Sequence, residues 1–180
     1  MNSIKNLAEL IKTLRVCDSA DYVKVAGNMH LPKSDFKKYT HWKSDGYTRN
    51  CIERTEHFEL TLICWKPGDE SPVHSHDDQR CWVYQVDGNM TESRYKLDEN
   101  ETLNEYYKKE LGPGSLSFME DKMGYHALRN RSNQNAMTLH LYISPIDNCQ
   151  VFNTSEERFK RKELIYDSYK GVLTQETIAR

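Results

Sequence analysis

Several features that would point to particular classes of protein are missing from this sequence. No apolar run approaches the roughly 20 residues that a membrane-spanning helix needs, and the first residues lack the apolar stretch and cleavage site of a signal peptide. Acidic and basic residues nearly balance, with a net charge of -2, so no basic surface suited to nucleic acid is expected. We therefore expect a monomeric protein of the cytoplasm that binds neither membranes nor nucleic acids.

Cysteine pairs that would indicate a disulfide framework are also missing. No Cys-x-x-Cys occurs, and the five cysteines are an odd number scattered along the chain: Cys17, Cys51, Cys64, Cys81 and Cys149. Such a pattern does not predict a fold held together by disulfides. A cysteine that matters here is expected to matter through its own chemistry.

The order of sequence patterns predicts one all-β domain with helices at its start. Apolar residues repeat at helical spacing over 3–15, and Pro32-Lys33-Ser34-Asp35 predicts a second short helix with a Ser or Asp cap. Short runs rich in β-branched and aromatic residues then alternate with turns, which is typical of a sandwich or barrel. The predicted strands are 48–55, 58–66, 73–76, 81–87, 90–96, 103–109, 115–119, 125–130, 137–143, 149–153 and 162–169. We expect a single domain over 1–180, with a helical extension over 1–45 and a barrel over 46–180.

The richest pattern for chemistry is Gly68-(five residues)-His74-x-His76-(four residues)-Cys81-(six residues)-Gly88. Two imidazoles two residues apart on an extended segment face the same side, so they are expected to converge on one metal ion. Two imidazoles alone hold a metal weakly, so a third ligand is required. His126 is the best candidate for it, and His140 is a rival that periodicity does not exclude.

A site of three neutral histidines without a carboxylate suits ferrous iron, because it leaves positions open for a substrate and dioxygen. A substrate that brings its own anion, such as a thiolate, would bind there without surplus negative charge. Zinc, nickel and copper also bind three imidazoles, so the residues alone leave the identity of the metal open.

The segment from Gly68 to Gly88 resembles the first motif of the cupins, small metal-binding β-barrels, except that Cys81 stands where that motif usually has Glu. This exchange is typical of the thiol dioxygenases and in particular of the cysteine dioxygenase family. Similar segments follow that family in order and spacing between Tyr47 and Phe152: Tyr47-Thr48-Arg49-Asn50, Leu62-Ile63-Cys64-Trp65, His126 with Asn130 four residues later, and Leu139-His140-Leu141-Tyr142.

The resemblance implies a cupin-type β-barrel, also described as a double-stranded β-helix or jelly roll, with short N-terminal helices. It implies an enzyme that uses ferrous iron, Fe(2+), to oxidise the thiol of L-cysteine with dioxygen (O2) to cysteine sulfinic acid. It assigns His74, His76 and His126 to the metal. His140 is then assigned a hydrogen bond that orients the hydroxyl group of Tyr142.

The resemblance also implies two further features of the site. Arg49 and Tyr47 are placed at the carboxylate of the substrate, where a guanidinium group binds bidentately. Cys81 and Tyr142 are the pair that similar enzymes join by a thioether bond beside the iron. One departure occurs behind that tyrosine, because this chain has Ile143-Ser144-Pro145 where related enzymes usually have Ser-Pro-Pro.

Other interpretations of these residues stay open at this stage. Cys81 and Tyr142 would also serve as barrel filling, and Trp65 and Cys149, which match family positions near the pocket, are equally suited to core packing. Dioxygenation of another small thiol such as 3-mercaptopropionate is one alternative, although relatives that oxidise it typically carry Gln where this chain has Arg49. A non-oxidative cupin that binds or isomerises a ligand is another, and Cys81 in place of Glu argues against it.

Overall fold

The protein is described here by a computed structural model covering residues 2–175. Its helices are α1 (Leu7–Leu14) and α2 (Tyr22–Gly27), and 3₁₀ turns span Ser19–Asp21, Lys33–Tyr39 and Asp121–Met123. The strands are β1 (Thr48–Arg54), β2 (Phe58–Trp65), β3 (Cys81–Asp87), β4 (Met90–Leu97), β5 (Leu103–Leu111), β6 (Leu116–Met119), β7 (Tyr125–Arg129), β8 (Ala136–Ile143), β9 (Asn148–Asn153), β10 (Arg158–Glu163), β11 (Ser168–Tyr169) and β12 (Val172–Leu173). Within 2–175, every helix is too short or too polar to cross a membrane.

The strands form two walls rather than one closed ladder. The first wall is a seven-stranded sheet in the order β12-β11-β1-β2-β8-β3-β6. The second consists of the three-stranded sheet β5-β4-β7 and the two-stranded sheet β10-β9. The segment before β3 connects these two parts, because His74 forms β-bridges with His126 on β7 and with Val151 on β9.

Alternation of side chains along the seven-stranded sheet separates two apolar clusters. On one face, leucines of β2 and β8 pack with the N-terminal helices around Leu10, Leu14 and Phe36. On the other face, Ile63, Trp65 and Val83 pack with residues of β4, β5, β7 and β9. Because side chains two apart share a face, Thr138, His140 and Tyr142 of β8 lie on this second face. The chemistry-bearing residues of β8 thus face the space between the walls.

The predicted all-β architecture with short N-terminal helices is confirmed, but the predicted helices differ in detail. α1 begins after Asn6, whose side chain accepts a hydrogen bond of 2.8 Å from the amide of Glu9, so residues 3–5 lie outside it. The second predicted helix is a 3₁₀ turn that starts after Pro32 without a side-chain cap. The predicted Ser or Asp cap is wrong, because the Asp35 carboxylate instead accepts from the amide of Leu7 at 2.8 Å. Helix α2 was not predicted.

Two of the predicted strands also differ from the structure. Residues 73–76 do not form a strand. His74 instead forms one isolated bridge to His126 on β7 and another to Val151 on β9. The predicted strand 162–169 is divided between the end of β10 and β11. The chain leaves the sheet between them, where the amide of Arg49 donates to the Asp167 carboxylate at 2.9 Å and the Tyr166 hydroxyl donates to the Glu59 carboxylate at 2.7 Å.

Candidate metal centre

Three histidines meet in the space between the two walls. His74 and His126 lie directly opposite each other, joined by backbone hydrogen bonds of 2.9 and 3.0 Å, so their side chains share a face. His76 follows two residues later on the same side of the segment. The ligand atoms of the three rings all lie within 4.8 Å of one another, and the Nε2 atoms of His76 and His126 are 3.1 Å apart.

Protein groups orient two of these rings through the nitrogen that faces away from the cluster. Nδ1 of His74 lies 2.9 Å from the carbonyl oxygen of Pro72. Nδ1 of His126 lies 3.0 Å from Glu92 Oε1, and that carboxylate also accepts from Ser117 Oγ at 2.6 Å and from Arg94 Nη2 at 3.2 Å. Partners of this kind fix the ring of a metal-binding histidine and leave Nε2 as the ligand atom.

The surroundings keep His74 and His76 in the form that binds a metal. Burial, with a further contribution from His126, lowers the pKa of His74 to about 3. Burial and the same neighbour hold the pKa of His76 well below its ordinary value. Both rings are therefore neutral at neutral pH and offer lone pairs. For Glu92, burial raises the pKa, but hydrogen bonds from His126 and Ser117 outweigh it and bring the pKa to about 2.

The donor set fits a transition metal ion. Imidazole nitrogens suit iron and its neighbours in the first transition series, and two adjacent ligands at about 2.1 Å from one ion lie about 3 Å apart, close to the 3.1 Å between His76 and His126. Nδ1 of His76 is buried without a hydrogen-bond partner among the described residues. No protein hydrogen bond therefore fixes this ring on that side, and an ion bound at Nε2 would hold it.

His140 lies outside the cluster. Its Nε2 is 2.9 Å from Thr138 Oγ1, and its Nδ1 is 3.3 Å from the hydroxyl group of Tyr142. Both nitrogens therefore already have protein partners on the same strand. This arrangement agrees with the orienting role expected of His140 and leaves His126 as the third histidine of the cluster.

A small cavity adjoins the histidines, and Arg49 enters it from β1. The cavity wall also includes Tyr47, Tyr142, Cys149 and Lys162. Nε and Nη2 of Arg49 are buried without a hydrogen-bond partner in residues 2–175. Burial lowers the pKa of Arg49, but the neighbouring Tyr142 and Glu59 more than offset this and raise it. The cavity therefore contains a permanent positive charge with free donors.

Tyr47 lies next to Arg49 at the same cavity. Its ring packs against the ring of Trp65 with a centroid distance of 4.6 Å. Burial raises the pKa of Tyr47, although the charge of Arg49 acts in the opposite direction, so the hydroxyl group stays protonated. Trp65 is itself fixed by a 2.9 Å hydrogen bond from its Nε1 to Thr138 Oγ1. Both of the roles considered for Trp65, packing and lining the cavity, are thus combined in one residue.

Cys81 and Tyr142 are direct cross-strand neighbours on β3 and β8. Cys81 Sγ lies 4.0 Å from His140 Nδ1, and burial raises the pKa of both the Cys81 thiol and the Tyr142 phenol. Behind Tyr142, where this chain departs from the usual sequence of the family, Ser144 has a φ of +64°. Tyr142 nevertheless keeps its hydroxyl group at His140.

Two buried carboxylates that support residues of this site were missed by the sequence analysis. Glu59 and Glu92 both have an exposed fraction of 0%. A charged residue on an otherwise buried strand is the signal that would have found them, since Glu59 interrupts Phe58–Trp65 and Glu92 interrupts the start of β4. Buried carboxylates persist in proteins where partners compensate their charge, and these two contact Arg49 and His126.

The chain is similar to a family of known enzymes and to a solved structure. A family model described as cysteine dioxygenase type I matches residues 1–155. The curated cysteine dioxygenase type 1 of Homo sapiens is 28% identical over 181 residues, covering 94% of this chain and 90% of that protein. That of Danio rerio is 27% identical over 160 residues, covering 83% and 80%. A solved oxalate oxidase in complex with a substrate analogue, glycolate, superposes with a TM-score of 0.50 at 15% identity over 64% of this chain and 62% of that chain, which supports the fold alone.

Proposed function

The chain belongs to the cysteine dioxygenase type I family, and we propose that it oxidises the thiol of L-cysteine with dioxygen to cysteine sulfinic acid. The observation that supports this most directly is the position of Arg49. Its Nε and Nη2 atoms are buried without a hydrogen-bond partner in residues 2–175. Arg49 lines the same cavity as His74 and His76, which form a three-histidine cluster with His126. A group that binds carboxylates thus stands beside a group that binds a metal, which suits a small thiol that also carries a carboxylate.

His74, His76 and His126 are the residues that would hold ferrous iron. Bound iron would supply the redox chemistry that combines dioxygen with a thiol. Histidine ligands carry no negative charge, and burial disfavours protonation of the His74 and His76 rings. A substrate that arrives as a thiolate therefore meets no competing carboxylate in the ligand set. Glu92 fixes the orientation of His126 from the far side of the ring.

Arg49 and Tyr47 are the residues proposed to bind the substrate carboxylate. A guanidinium edge with two parallel N–H groups binds a carboxylate bidentately, and a low-dielectric cavity strengthens such a charge-assisted hydrogen bond. The Tyr47 hydroxyl group is held at the same cavity by stacking on Trp65. Together they would orient the substrate so that its sulfur faces the histidine cluster.

Tyr142 is proposed to donate a hydrogen bond to the reacting end of the substrate. Burial keeps its phenol protonated, and the contact with His140 fixes the direction of the hydroxyl group. Its cross-strand neighbour Cys81 supports a second proposal, a thioether bond between Cys81 Sγ and the ring of Tyr142. Forming that bond removes one hydrogen from the thiol and one from the ring, with dioxygen as the oxidant.

The test of the function is oxygen consumption by the iron-loaded protein with cysteine, together with identification of the product by mass spectrometry. We expect one dioxygen consumed for each cysteine sulfinic acid formed, and loss of activity after iron is removed. The same assay with cysteamine and 3-mercaptopropionate defines the substrate. Faster oxidation of 3-mercaptopropionate than of cysteine would contradict the substrate assignment, and no thiol-dependent oxygen uptake would indicate a non-oxidative cupin.

A further inference from the structure

Glu59 is a buried carboxylate that lies beside Arg49 and belongs to neither the metal cluster nor the cavity wall. It is located on β2, where its cross-strand neighbours are Arg54 on β1 and Tyr142 on β8. Its exposed fraction is 0%, and its Oε1 atom lies 3.5 Å from Arg49 Nη2. Glu59 therefore faces the carboxylate-binding arginine from inside the protein.

The position of the Glu59 carboxylate is determined by several donors at once. Its Oε1 accepts from the hydroxyl group of Thr61 at 2.7 Å. Its Oε2 accepts from the Tyr166 hydroxyl at 2.7 Å, the Ile146 amide at 3.2 Å and Arg54 Nη1 at 3.3 Å. A carboxylate held by this many groups has little freedom to rotate. The negative charge that faces Arg49 therefore has a fixed position.

The contact between Glu59 and Arg49 compensates the positive charge of the guanidinium group but forms no hydrogen bond with its Nε and Nη2 atoms. At 3.5 Å the two groups form an ion pair, yet Nε and Nη2 of Arg49 still lack a hydrogen-bond partner among the described residues. Of the carboxylates in residues 2–175, Glu59 is the one at ion-pair distance from Arg49. A buried guanidinium group without a counter-charge would be strongly disfavoured.

We propose that Glu59 is a positioning residue that compensates the charge of Arg49 and holds its free edge in the cavity for the carboxylate of the substrate. This inference rests on the proposed function, because it concerns how that site recognises a thiol with a carboxylate. Glu59 then determines specificity through Arg49, without touching the substrate. Its removal should weaken binding of carboxylate-bearing thiols and leave thiols that lack a carboxylate unaffected.

The test compares the binding of cysteine and cysteamine to the iron-loaded protein by anaerobic calorimetry, which needs no turnover. In Glu59→Gln we expect cysteine to bind about tenfold more weakly, the loss typical of a misplaced charge-assisted hydrogen bond. Cysteamine has no carboxylate and should bind as it does to the wild type. The matched control is Glu53→Gln, a charge loss on the neighbouring strand β1, where Glu53 pairs with Arg15 at 3.0 Å; it should leave the binding ratio unchanged.

A second variant separates positioning from folding. Tyr166→Phe removes one donor to Glu59 while keeping the ring that lies 5.8 Å from the Arg49 guanidinium carbon. It should reduce cysteine binding in the same direction as Glu59→Gln but by less, and it decides the question if Glu59→Gln does not fold.

The outcomes distinguish the inference from the proposed function. Equal weakening of both thiols, or wild-type binding of cysteine by Glu59→Gln, overturns the inference and makes Glu59 a structural residue. A wild type that does not prefer cysteine to cysteamine overturns it as well. A wild type that shows the expected binding ratios but forms no sulfinic acid in oxygen overturns the proposed function and leaves the role of Glu59 intact.

Discussion

Burial of polar residues decides the properties of this site. His126, Glu92 and Glu59 each have an exposed fraction of 0%, and each is compensated by named partners rather than by water. Because an unpaired buried group is costly, removal of one member of such a pair leaves the other without compensation. Single substitutions should therefore separate the residues that hold the metal from those that orient the substrate.

We predict that His126→Ala removes iron binding and that His140→Ala retains it. His126 belongs to the cluster whose ligand atoms lie within 4.8 Å, whereas both nitrogens of His140 have protein partners at 2.9 and 3.3 Å. Metal analysis of the two purified variants after equal iron loading is the measurement. Full iron in His126→Ala together with loss of iron in His140→Ala would show that the third ligand is misassigned.

We predict that Arg49→Gln lowers kcat/KM for cysteine by about tenfold to hundredfold, the effect expected when a charge-assisted hydrogen bond is lost. Cysteamine, which has no carboxylate for Arg49 to bind, should change little. Arg158→Gln is the matched control, because Arg158 is exposed and pairs with Glu156. An unchanged value for cysteine in Arg49→Gln would make Arg49 an ordinary structural arginine.

We predict that aerobic turnover partly converts Cys81 and Tyr142 to a thioether, since the two residues face each other across β3 and β8. The product is two hydrogens lighter and should migrate faster on a denaturing gel. The faster band should be missing from Cys81→Ser, and activity should fall without disappearing because Cys81 binds no metal. A peptide map that contains only unmodified Cys81 after prolonged turnover would sink this prediction.

The position of β7 depends on a close backbone approach at the residue that precedes it. Gly124 precedes it with a φ of +100°, and a Cβ atom there would lie 2.2 Å from the backbone oxygen of Tyr95. The next two residues are Tyr125, which pairs with Tyr95 on β4, and His126. The close approach of the turn to β4 therefore determines where the third histidine lies.

We predict that Gly124→Ala lowers the free energy of unfolding by about 3 kcal/mol or more, because backbone strain and a clash with backbone add up. It should also weaken iron binding, since β7 must shift. The matched control is Gly114→Ala, where φ is +82° but the space around a Cβ is open, so a cost of about 1–2 kcal/mol is expected. Chemical denaturation and metal titration of both variants provide the comparison, and equal effects would rule out the clash at Gly124.

The protein as a whole is built around two apolar clusters, and the N-terminal helices complete one of them. Leu10 and Leu14 of α1 lie in the same cluster as Leu60 and Leu62 of β2. The sheet that contributes one wall of the site is thus covered on its other face by the helices. We propose that the extension over 1–45 and the barrel over 46–180 unfold together as one domain.

We predict that Leu10→Ala lowers the free energy of unfolding by about 2–5 kcal/mol, the range for a large-to-small change in a core. Unfolding should remain a single transition that coincides for a probe in α1 and a probe in the barrel. Val16→Ala, at a side chain that is 81% exposed, should change stability by no more than about 0.5 kcal/mol. Two separate transitions would contradict the single domain.

Local patterns were sufficient to predict most of the fold. Alternating short runs and turns predicted the strands from β1 to β9, because the period of two and the turn residues are local properties. The pattern around His74 and His76 predicted that both face one side for the same reason. The motifs around Cys81 and Tyr142 predicted the family, which the comparisons confirm.

Contacts between distant parts of the chain decided the rest. The family resemblance favoured His126 over His140, but only the bridge from His74 to β7 shows how residues 52 positions apart come together in one cluster. Glu59 becomes a counter-charge for Arg49 only because β1, β2 and the segment around Tyr166 meet in the folded protein. Local periodicity determines which face a side chain occupies, but its partners, and therefore its charge and its function, depend on the packing of elements far apart in the chain.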